Sequence, residues 1–336
     1  RAEILSGFYQ GKSTGTPIVL WVGNRDWENW KEAISPGEET DEARAVTLPR
    51  PGHADLAGAL KHGYRDFRPV LERTSARETA GRVAAGGLSR TLLRDFGIRI
   101  VSRVVRIGSA TDKTDVGQIQ LKNWNEIADD SSVRATDHGA EEEMIAEIKR
   151  IKKEEDSVGG VFEVAALGVP PGIGSYSSSD KKLDSKIAGG FMSIPAIKSV
   201  EIGLGKEAGS EPGSKVHDEI FHDEGCGFHR STNNAGGIEG GVSNGEPLRV
   251  SATMKPIPTL ARPLHSVDLT SGEDSKAAKE RSDVCAVPAA SIVGEAELAN
   301  IVAGAFLDKF GGDTLDEVRE SFENHRARIQ NWFEEV

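Results

Sequence analysis

The side chains best suited to chemistry lie in residues 49–55, which read PRPGHAD. Arg50 offers a planar fork of N–H donors that matches a carboxylate or a phosphate. His53 is the residue type that changes charge near neutral pH, so it could act as an acid or a base. A lone histidine is more often structural, and that alternative stays open. Together with Asp55, these residues indicate a site that holds an anion and moves a proton.

A second polar stretch, residues 72–79 (ERTSARET), follows in the sequence. Ser75 and Glu78 have the spacing of a capping box, which predicts a helix from Ser75 to residue 96 that stops at a glycine. Helix N-termini bind anions through free N–H groups, and Arg73 and Arg77 flank this one. The alternative is that these arginines form surface salt bridges with neighbouring glutamates.

Hydrophobic periodicity predicts the elements that would position these residues. The predicted strands cover residues 17–22 (buried), 98–107, 158–169, 200–204 and 248–254. Further helices are predicted at residues 141–155, from residue 183 to near Pro195, at 291–310, and at 314–333 behind a second capping box. The irregular alternation favours an α+β fold with mostly antiparallel sheets, in one domain over residues 1–336. Residues 205–245 have little periodicity, which is typical of a functional or disordered segment.

Composition narrows the functional class. The 336-residue chain has a formal net charge of -12, whereas nucleic-acid binders are more often basic. Two cysteines cannot form a disulfide framework for this length, which fits a reducing, cytoplasmic compartment. The sequence has no apolar run near the roughly 18 residues of a membrane span. We therefore expect neither a nucleic-acid nor a membrane partner.

Three weaker patterns remain as alternatives. Residues 11–15 (GKSTG) resemble the end of a phosphate-binding P-loop, but Ser6 stands where that motif needs glycine. Residues 236–241 (GGIEGG) suit either close backbone approach to a planar ligand or a plain loop. Four further residues could bind zinc, although their spacing matches no common pattern and no metal site is predicted: His217, His222, Cys226 and His229.

The order of motifs resembles chorismate synthase from end to end. RPGHAD followed by RTSARETAGRVAAG carries the resemblance most specifically. The matching segments continue in the family's order with residues 11–17, 158–174, 182–184, 192–198, 200–203, 231–241, 254–259 and 280–290.

This resemblance implies a fold and an activity. The fold would be a layered sandwich with central helices between mostly antiparallel sheets. The enzyme would be a carbon–oxygen lyase acting on phosphates, which forms chorismate from 5-enolpyruvylshikimate 3-phosphate in the shikimate pathway of aromatic amino acid biosynthesis. It would need reduced FMN without net redox change, and it would assemble as a homotetramer.

The resemblance also assigns roles to residues. It implies His53 and Asp283 as catalytic residues, with His53 as the group that protonates the reduced flavin. Substrate-binding roles fall to Arg50, Arg77 and Arg281. Cofactor-binding roles fall to Arg73, Thr74, Ser75, Pro195, Ala196, Gly240, Lys255, Pro256, Ile257, Pro258, Thr259 and Arg281.

The chain departs from the family pattern at its start. The family begins with a segment that carries a second catalytic histidine, and that segment does not precede Arg1. We therefore expect the chain as written to lack a general acid, and a non-catalytic remnant that binds FMN or oligomerises is the alternative. No added flavin-reductase region is apparent, so reduced flavin is expected from elsewhere. The alternative is a chorismate synthase that carries its own NADP-dependent flavin reductase.

Overall fold

The structure, a computed structural model, describes residues 1–31, 45–114, 121–223, 227–279 and 282–334. The α-helices in these ranges are α1 (Trp27–Trp30), α2 (Asp55–His62), α3 (Arg68–Arg73), α4 (Thr79–Arg94), α5 (Trp124–Asp130), α6 (His138–Lys153), α7 (Leu183–Met192), α8 (Gly213–Val216), α9 (Val287–Phe310) and α10 (Leu315–Glu334). The strands are β1 (Glu3–Ser6), β2 (Phe8–Tyr9), β3 (Lys12–Ser13), β4 (Val19–Trp21), β5 (Arg99–Ile107), β6 (Ala110–Thr111), β7 (Gly160–Leu167), β8 (Ile197–Ile202), β9 (Ile220–Asp223), β10 (Gly227–Arg230), β11 (Ile238–Glu239), β12 (Val242–Ser243), β13 (Leu248–Met254), β14 (His265–Val267) and β15 (Asp274–Lys276).

A five-stranded antiparallel sheet carries the fold, with the strand order β6-β5-β7-β13-β8. Phe162, Val164 and Ala166 alternate along the central strand β7 and are fully buried. The strands predicted at residues 98–107, 158–169 and 248–254 are confirmed as β5, β7 and β13. The strand predicted at residues 200–204 is β8, which begins earlier, at Ile197.

Helices α9 and α4 form the next layer. Helix α9 contacts β5 and β7, and its Gly294 lies close against Phe162 and Val164. Helix α4 packs on α9 where Gly86 meets Ala296. The small antiparallel pair of β1 and β4 then contacts α4 through β4. The helices therefore lie between two antiparallel sheets, as expected of the predicted α+β sandwich.

Helix α9 is long and apolar enough to cross a membrane. About two thirds of its most apolar stretch (67%) is buried inside the protein, against the sheet and α4. The buried Glu295 also lies in this helix. Its apolar composition is therefore that of a core helix.

A strand forms within residues 17–22 as predicted, but the prediction that this strand is buried was wrong. Strand β4 forms over Val19–Trp21, but Val19 and Trp21 remain 46% and 52% exposed. Leu20 is half-buried because successive side chains of a strand point to opposite faces and only one face meets α4. The apolar run reflects an exposed surface strip, which also includes Ile4 and Leu5 of β1.

The long aperiodic segment at residues 205–245 has defined structure in its described part. It contains α8, the β9–β10 hairpin and the β11–β12 hairpin. The half-exposed loop before β11 is held by Asp218, whose carboxylate accepts hydrogen bonds from Thr232 and from the amides of Asn234 (2.7 Å) and Ala235 (2.9 Å). Burial would raise the pKa of Asp218, but these hydrogen bonds outweigh it and lower the pKa.

Candidate active site

Arg50, His53 and Asp55 form one connected cluster at the start of α2. The Arg50 guanidinium donates from Nε to Asp55 Oδ2 (2.8 Å) and from Nη2 to Asp55 Oδ1 (3.1 Å). The Arg50 backbone N–H also donates to Asp55 Oδ2 (3.0 Å), and His53 Nδ1 lies within hydrogen-bond distance of Asp55 Oδ1. Arg50 Nη1 donates to Thr259 Oγ1 (2.9 Å), which ties the cluster to a distant part of the chain.

Asp55 is fully buried, so its charge depends on these partners. Burial alone would raise the pKa of the carboxyl, because desolvation disfavours the charged form. The hydrogen bonds from His53 and Arg50 outweigh burial and hold the pKa of Asp55 well below its usual range. The cluster therefore contains an ionised carboxylate at neutral pH, balanced by the Arg50 guanidinium.

The loop at residues 255–259 connects this cluster to the edge of the sheet. Lys255 Nζ donates to the Gly52 carbonyl, and the Lys255 backbone N–H donates to the Ala196 carbonyl (2.9 Å). Ala196 has a φ of +69°, a strained conformation that non-glycine residues adopt mainly where surrounding structure imposes it. Burial lowers the pKa of Lys255, and the nearby Lys198 lowers it further.

The segment before α4 departs from the predicted capping box. Ser75 Oγ accepts a hydrogen bond from the Arg77 N–H (3.4 Å), but it caps a short 3-10 helix over Ala76–Glu78. Glu78 pairs with Arg82 (2.9 Å) instead of returning to Ser75. The α-helix therefore begins at Thr79, because Arg82 one turn later competes for the Glu78 carboxylate. The stop at Gly97 is confirmed by its φ of +76°.

The arginines of this segment have different surroundings. Arg77 forms a salt bridge with Glu72 and is about half exposed (48%), as the surface alternative predicted. Arg73, at the end of α3, is exposed and has no ion pair with a described residue. Thr74 Oγ1 bonds back to a carbonyl of α3. Arg281 lies outside the described residues.

Arg82 is a connecting residue that the sequence reasoning missed. Its Nη1 donates to Ser193 Oγ (2.7 Å) and to Glu297 Oε2 (3.2 Å), and its Nη2 donates to the Ser193 carbonyl (3.2 Å). Ser193 lies at the end of α7, two residues before Pro195 and Ala196. Arg82 therefore holds the turn with Ala196 against the start of α4. In the sequence, Arg82 follows Glu78 by four residues, which is the spacing of a salt bridge on a helix, and this was the available signal.

Asp283 joins the same group of segments through backbone contacts. The Val158 N–H donates to the Val284 carbonyl (2.9 Å), next to Asp283. Ser157 Oγ then donates to the Ile257 carbonyl (2.6 Å), within the loop at residues 255–259. Asp283 itself is exposed. The segments of Arg50, Ala196, Lys255 and Asp283 are therefore linked to one another by hydrogen bonds.

Gly240 lies apart from these segments within the chain. The Leu183 N–H at the start of α7 donates to the Gly241 carbonyl (2.9 Å), so Gly240 lies beside the N-terminal end of that helix. Pro195 and Ala196 follow its C-terminal end. A helix of this length spans about 15 Å. Among the described residues predicted to bind the cofactor, Ala196, Lys255 and Thr259 are thus connected through hydrogen bonds, and Gly240 lies apart from them.

Within the part of the chain that the structure describes, two of the weaker patterns form no site. Residues 11–15 belong to the β2–β3 hairpin and its following turn, and no helix begins there to complete a P-loop. His222 pairs with Phe228, while His229 pairs with Phe221, so the two histidines point to opposite faces of the β9–β10 hairpin. Cys226 lies outside the described residues, among which no group of three or more potential ligands could hold a metal.

The site suits an anionic planar cofactor such as FMN. Arg73, Lys198 and Lys255 have no ion pair with a described carboxylate, so their charges remain available to a phosphate. The lowered pKa of Lys255 reflects burial next to another cation, a conflict that a bound anion would relieve. The two lysines would therefore hold a phosphate, whereas Gly240, which has open space where a side chain would begin, lies beside the other end of α7.

The sequence and the fold match known proteins along almost the whole chain. The family model described as chorismate synthase matches residues 1–307. Chorismate synthase from Desulforudis audaxviator (strain MP104C) is 53% identical over 98% of this chain and 84% of its own length. The Aquifex aeolicus (strain VF5) chorismate synthase is 50% identical over 98% of this chain and 85% of its own. A crystal structure of chorismate synthase superposes with a TM-score of 0.80 at 42% identity, covering 98% of this chain and 85% of the other. This chain belongs to the chorismate synthase family.

Proposed function

We propose that this chain catalyses the anti 1,4-elimination of phosphate from 5-enolpyruvylshikimate 3-phosphate to give chorismate. In this reaction a C–O bond to phosphate and a ring C–H bond both break, and a new C=C bond forms. The observation that best supports the proposal is the set of hydrogen bonds that links Arg50 and His53 to the loop at residues 255–259 and to Ala196. These segments supply cations for an anionic substrate and a group that can exchange a proton.

Arginines in this acidic chain suit the substrate, which carries a phosphate and two carboxylates. We assign substrate binding to Arg50, Arg77 and Arg281. Arg77 would exchange its exposed salt bridge with Glu72 for the substrate at little cost, since exposed ion pairs contribute little. Arg50 is held by Asp55 and Thr259, so it would present its two remaining N–H groups in fixed directions.

Reduced FMN, when bound, supplies the electron-transfer chemistry that amino-acid side chains lack. We assign its phosphate to the cations Arg73 and Lys255, with Lys198 as a neighbouring charge. The other cofactor contacts are assigned to Thr74, Ser75, Pro195, Ala196, Gly240, Pro256, Ile257, Pro258, Thr259 and Arg281. His53 holds the proton that is exchanged, and Asp283 is the second group in proton transfer. We place the reaction in the cytoplasm, with reduced flavin supplied from elsewhere.

We also propose a homotetramer. The β1–β4 pair exposes Leu5 (60%), Trp21 (52%) and Ile4 (49%), and contiguous apolar surface is typical of a protein–protein interface. Light scattering of the purified chain tests this assembly. Four copies per particle would support it, and dissociation by Trp21→Lys would assign the interface to this pair of strands. A monomer at micromolar concentration would contradict the proposal.

The activity itself is tested by mixing the chain with 5-enolpyruvylshikimate 3-phosphate and dithionite-reduced FMN without oxygen. Chorismate is the expected product, detected by its absorbance and by chromatography. Oxidised FMN is the matched control and should give none. If FMN binds but no chorismate forms, the chain is a non-catalytic FMN-binding remnant and the proposal is wrong.

A further inference from the structure

We propose that Asp55 is a positioning residue that sets the tautomer of His53 and orients Arg50. In this arrangement Nδ1 of His53 carries the fixed hydrogen, and Nε2 is the nitrogen that exchanges a proton. The part of the inference that concerns catalysis rests on the proposed function, whereas the tautomer is a property of the ligand-free chain.

The tautomer follows from the partners of the two ring nitrogens. An ionised carboxylate only accepts hydrogen bonds, so the close contact between His53 Nδ1 and Asp55 Oδ1 requires a hydrogen on Nδ1. Nδ1 then has no lone pair for Arg50 Nη2, which lies 3.1 Å away. The same Nη2 lies 3.4 Å from Nε2. Nε2 of the neutral ring therefore carries the lone pair, which Arg50 Nη2 approaches as a donor and which can accept a proton.

Arg50 makes the carboxylate difficult to replace. The Arg50 backbone N–H and Nε both donate to Asp55 Oδ2, while Nη2 and His53 Nδ1 approach Oδ1. An amide at position 55 has only one oxygen, and the two donors at the Oδ2 position would hold it there. Its NH2 group would then face His53 Nδ1, which could only accept. The amide would therefore reverse the tautomer, as a carboxylate-to-amide change does in a catalytic triad.

Nitrogen-15 NMR of the histidine side chains in the full, ligand-free chain tests this inference directly. The spectrum is recorded at a pH where the rings are neutral, and His53→Gln identifies the His53 signals among the eight histidines. We expect the hydrogen on Nδ1 in the wild type and on Nε2 in Asp55→Asn. A wild-type His53 with its hydrogen on Nε2 would overturn the inference even if the variant failed to fold.

A kinetic measurement then tests the consequence for the reaction. In Asp55→Asn we expect kcat to fall by at least about 100-fold, within the range that a positioned acid or base contributes. FMN affinity, measured by flavin fluorescence, should change much less. Asp268→Asn is the matched control, because Asp268 also accepts hydrogen bonds from Thr47 and nearby amides but does not contact His53. It should leave both the tautomer and kcat unchanged.

The two proposals fail in different ways. An inactive wild type with the hydrogen of His53 on Nδ1 would contradict the proposed function and leave the tautomer assignment intact. An active wild type with a reversed tautomer would contradict only the role of Asp55. If Asp55→Asn keeps the wild-type tautomer and kcat, Asp55 has only a structural role.

Discussion

The proposed role of His53 is proton transfer, so replacing this residue should affect turnover and leave FMN binding largely unchanged. His53 is 17% exposed, and its side chain contacts Arg50 and Asp55, whereas Lys255, which is assigned to the FMN phosphate, contacts the backbone of the neighbouring Gly52. We predict that His53→Ala lowers kcat by about 10² to 10⁴. FMN affinity should remain within a few-fold of the wild type. Stopped-flow turnover and flavin fluorescence measure the two effects separately, and loss of flavin or of folding in this variant would instead identify a structural histidine.

Asp55 should also affect stability in a pH-dependent way. Its folded pKa lies below the unfolded value of about 3.9, so the stability that it contributes is present above that value and is lost as the pH falls below it. We predict that Asp55→Asn costs about 3 kcal/mol at pH 7, because Arg50 loses a buried partner.

The free-energy difference between wild type and Asp55→Asn should narrow as the pH falls below about 4, where the wild-type carboxylate begins to lose its advantage. Urea unfolding at several pH values measures it, with Asp268→Asn, at a half-buried position, as the control. A difference that widens in acid would contradict the assigned charge state of Asp55.

Lys255 tests the assignment of the phosphate. Its ammonium is partly buried beside Lys198 and has no ion pair with a described residue, so a bound phosphate would remove an unfavourable contact. We predict that Lys255→Met weakens FMN binding roughly tenfold, or about 1.4 kcal/mol. Lys149→Met, on the exposed side of α6, is the control and should have no effect. Equal affinity in both variants would place the phosphate elsewhere.

The short-range part of the site could be predicted from the sequence, and the long-range part could not. Arg50, His53 and Asp55 lie within six positions, so their meeting follows from the turn that begins α2. The contacts of Lys255 with Gly52 and of Arg82 with Ser193 join residues 203 and 111 positions apart. Such pairings depend on how the sheet and helices pack, which local sequence patterns do not specify.

The crossing of α4 and α9 is the element-level feature most open to test. A Cβ atom added at Gly86 would overlap Ala296 of α9, whereas one added at the neighbouring Gly87 would meet nothing within 4 Å. We predict that Gly86→Ala destabilises the fold by about 1–3 kcal/mol through overpacking. Gly87→Ala should stabilise it by about 0.5–1 kcal/mol, because alanine favours the helix. Thermal unfolding of both variants makes the comparison, and similar melting temperatures would contradict this packing.

Periodicity and capping signals predicted elements where one local interaction dominates. The box of Thr314 and Glu317 forms as predicted, since Glu317 accepts from the Thr314 N–H (2.9 Å) and its own N–H reaches Thr314 Oγ1 (3.3 Å). The spacing of Ser75 and Glu78 predicted a second box that does not form, because the Glu78 carboxylate forms a salt bridge with Arg82 instead. The loop at residues 232–235 has no periodic signal because a single carboxylate, Asp218, holds it through contacts with residues 14 to 17 positions away.

At the scale of the whole molecule, the chain is acidic, with a net charge of -12, yet it keeps two neighbouring lysines, Lys198 and Lys255, without described carboxylate partners at one loop. Such a local concentration of positive charge attracts anions in spite of the overall charge. The main apolar core contains residues from Leu93 to Phe322, and a smaller cluster with Phe67 and Val70 lies under α2 and α3. The single-domain organisation over residues 1–336 stays a prediction. The family was evident in the sequence, because its motifs occur in order along the chain.

Phosphate release at a limiting amount of flavin tests the central claim most directly. The chain is incubated without oxygen with excess 5-enolpyruvylshikimate 3-phosphate and a small, known quantity of reduced FMN, and phosphate and chorismate are both measured. We predict equal amounts of the two products, many times greater than the amount of FMN, because the elimination has no net redox change. Phosphate limited to one equivalent per flavin, or none above the flavin-free control, would contradict the account.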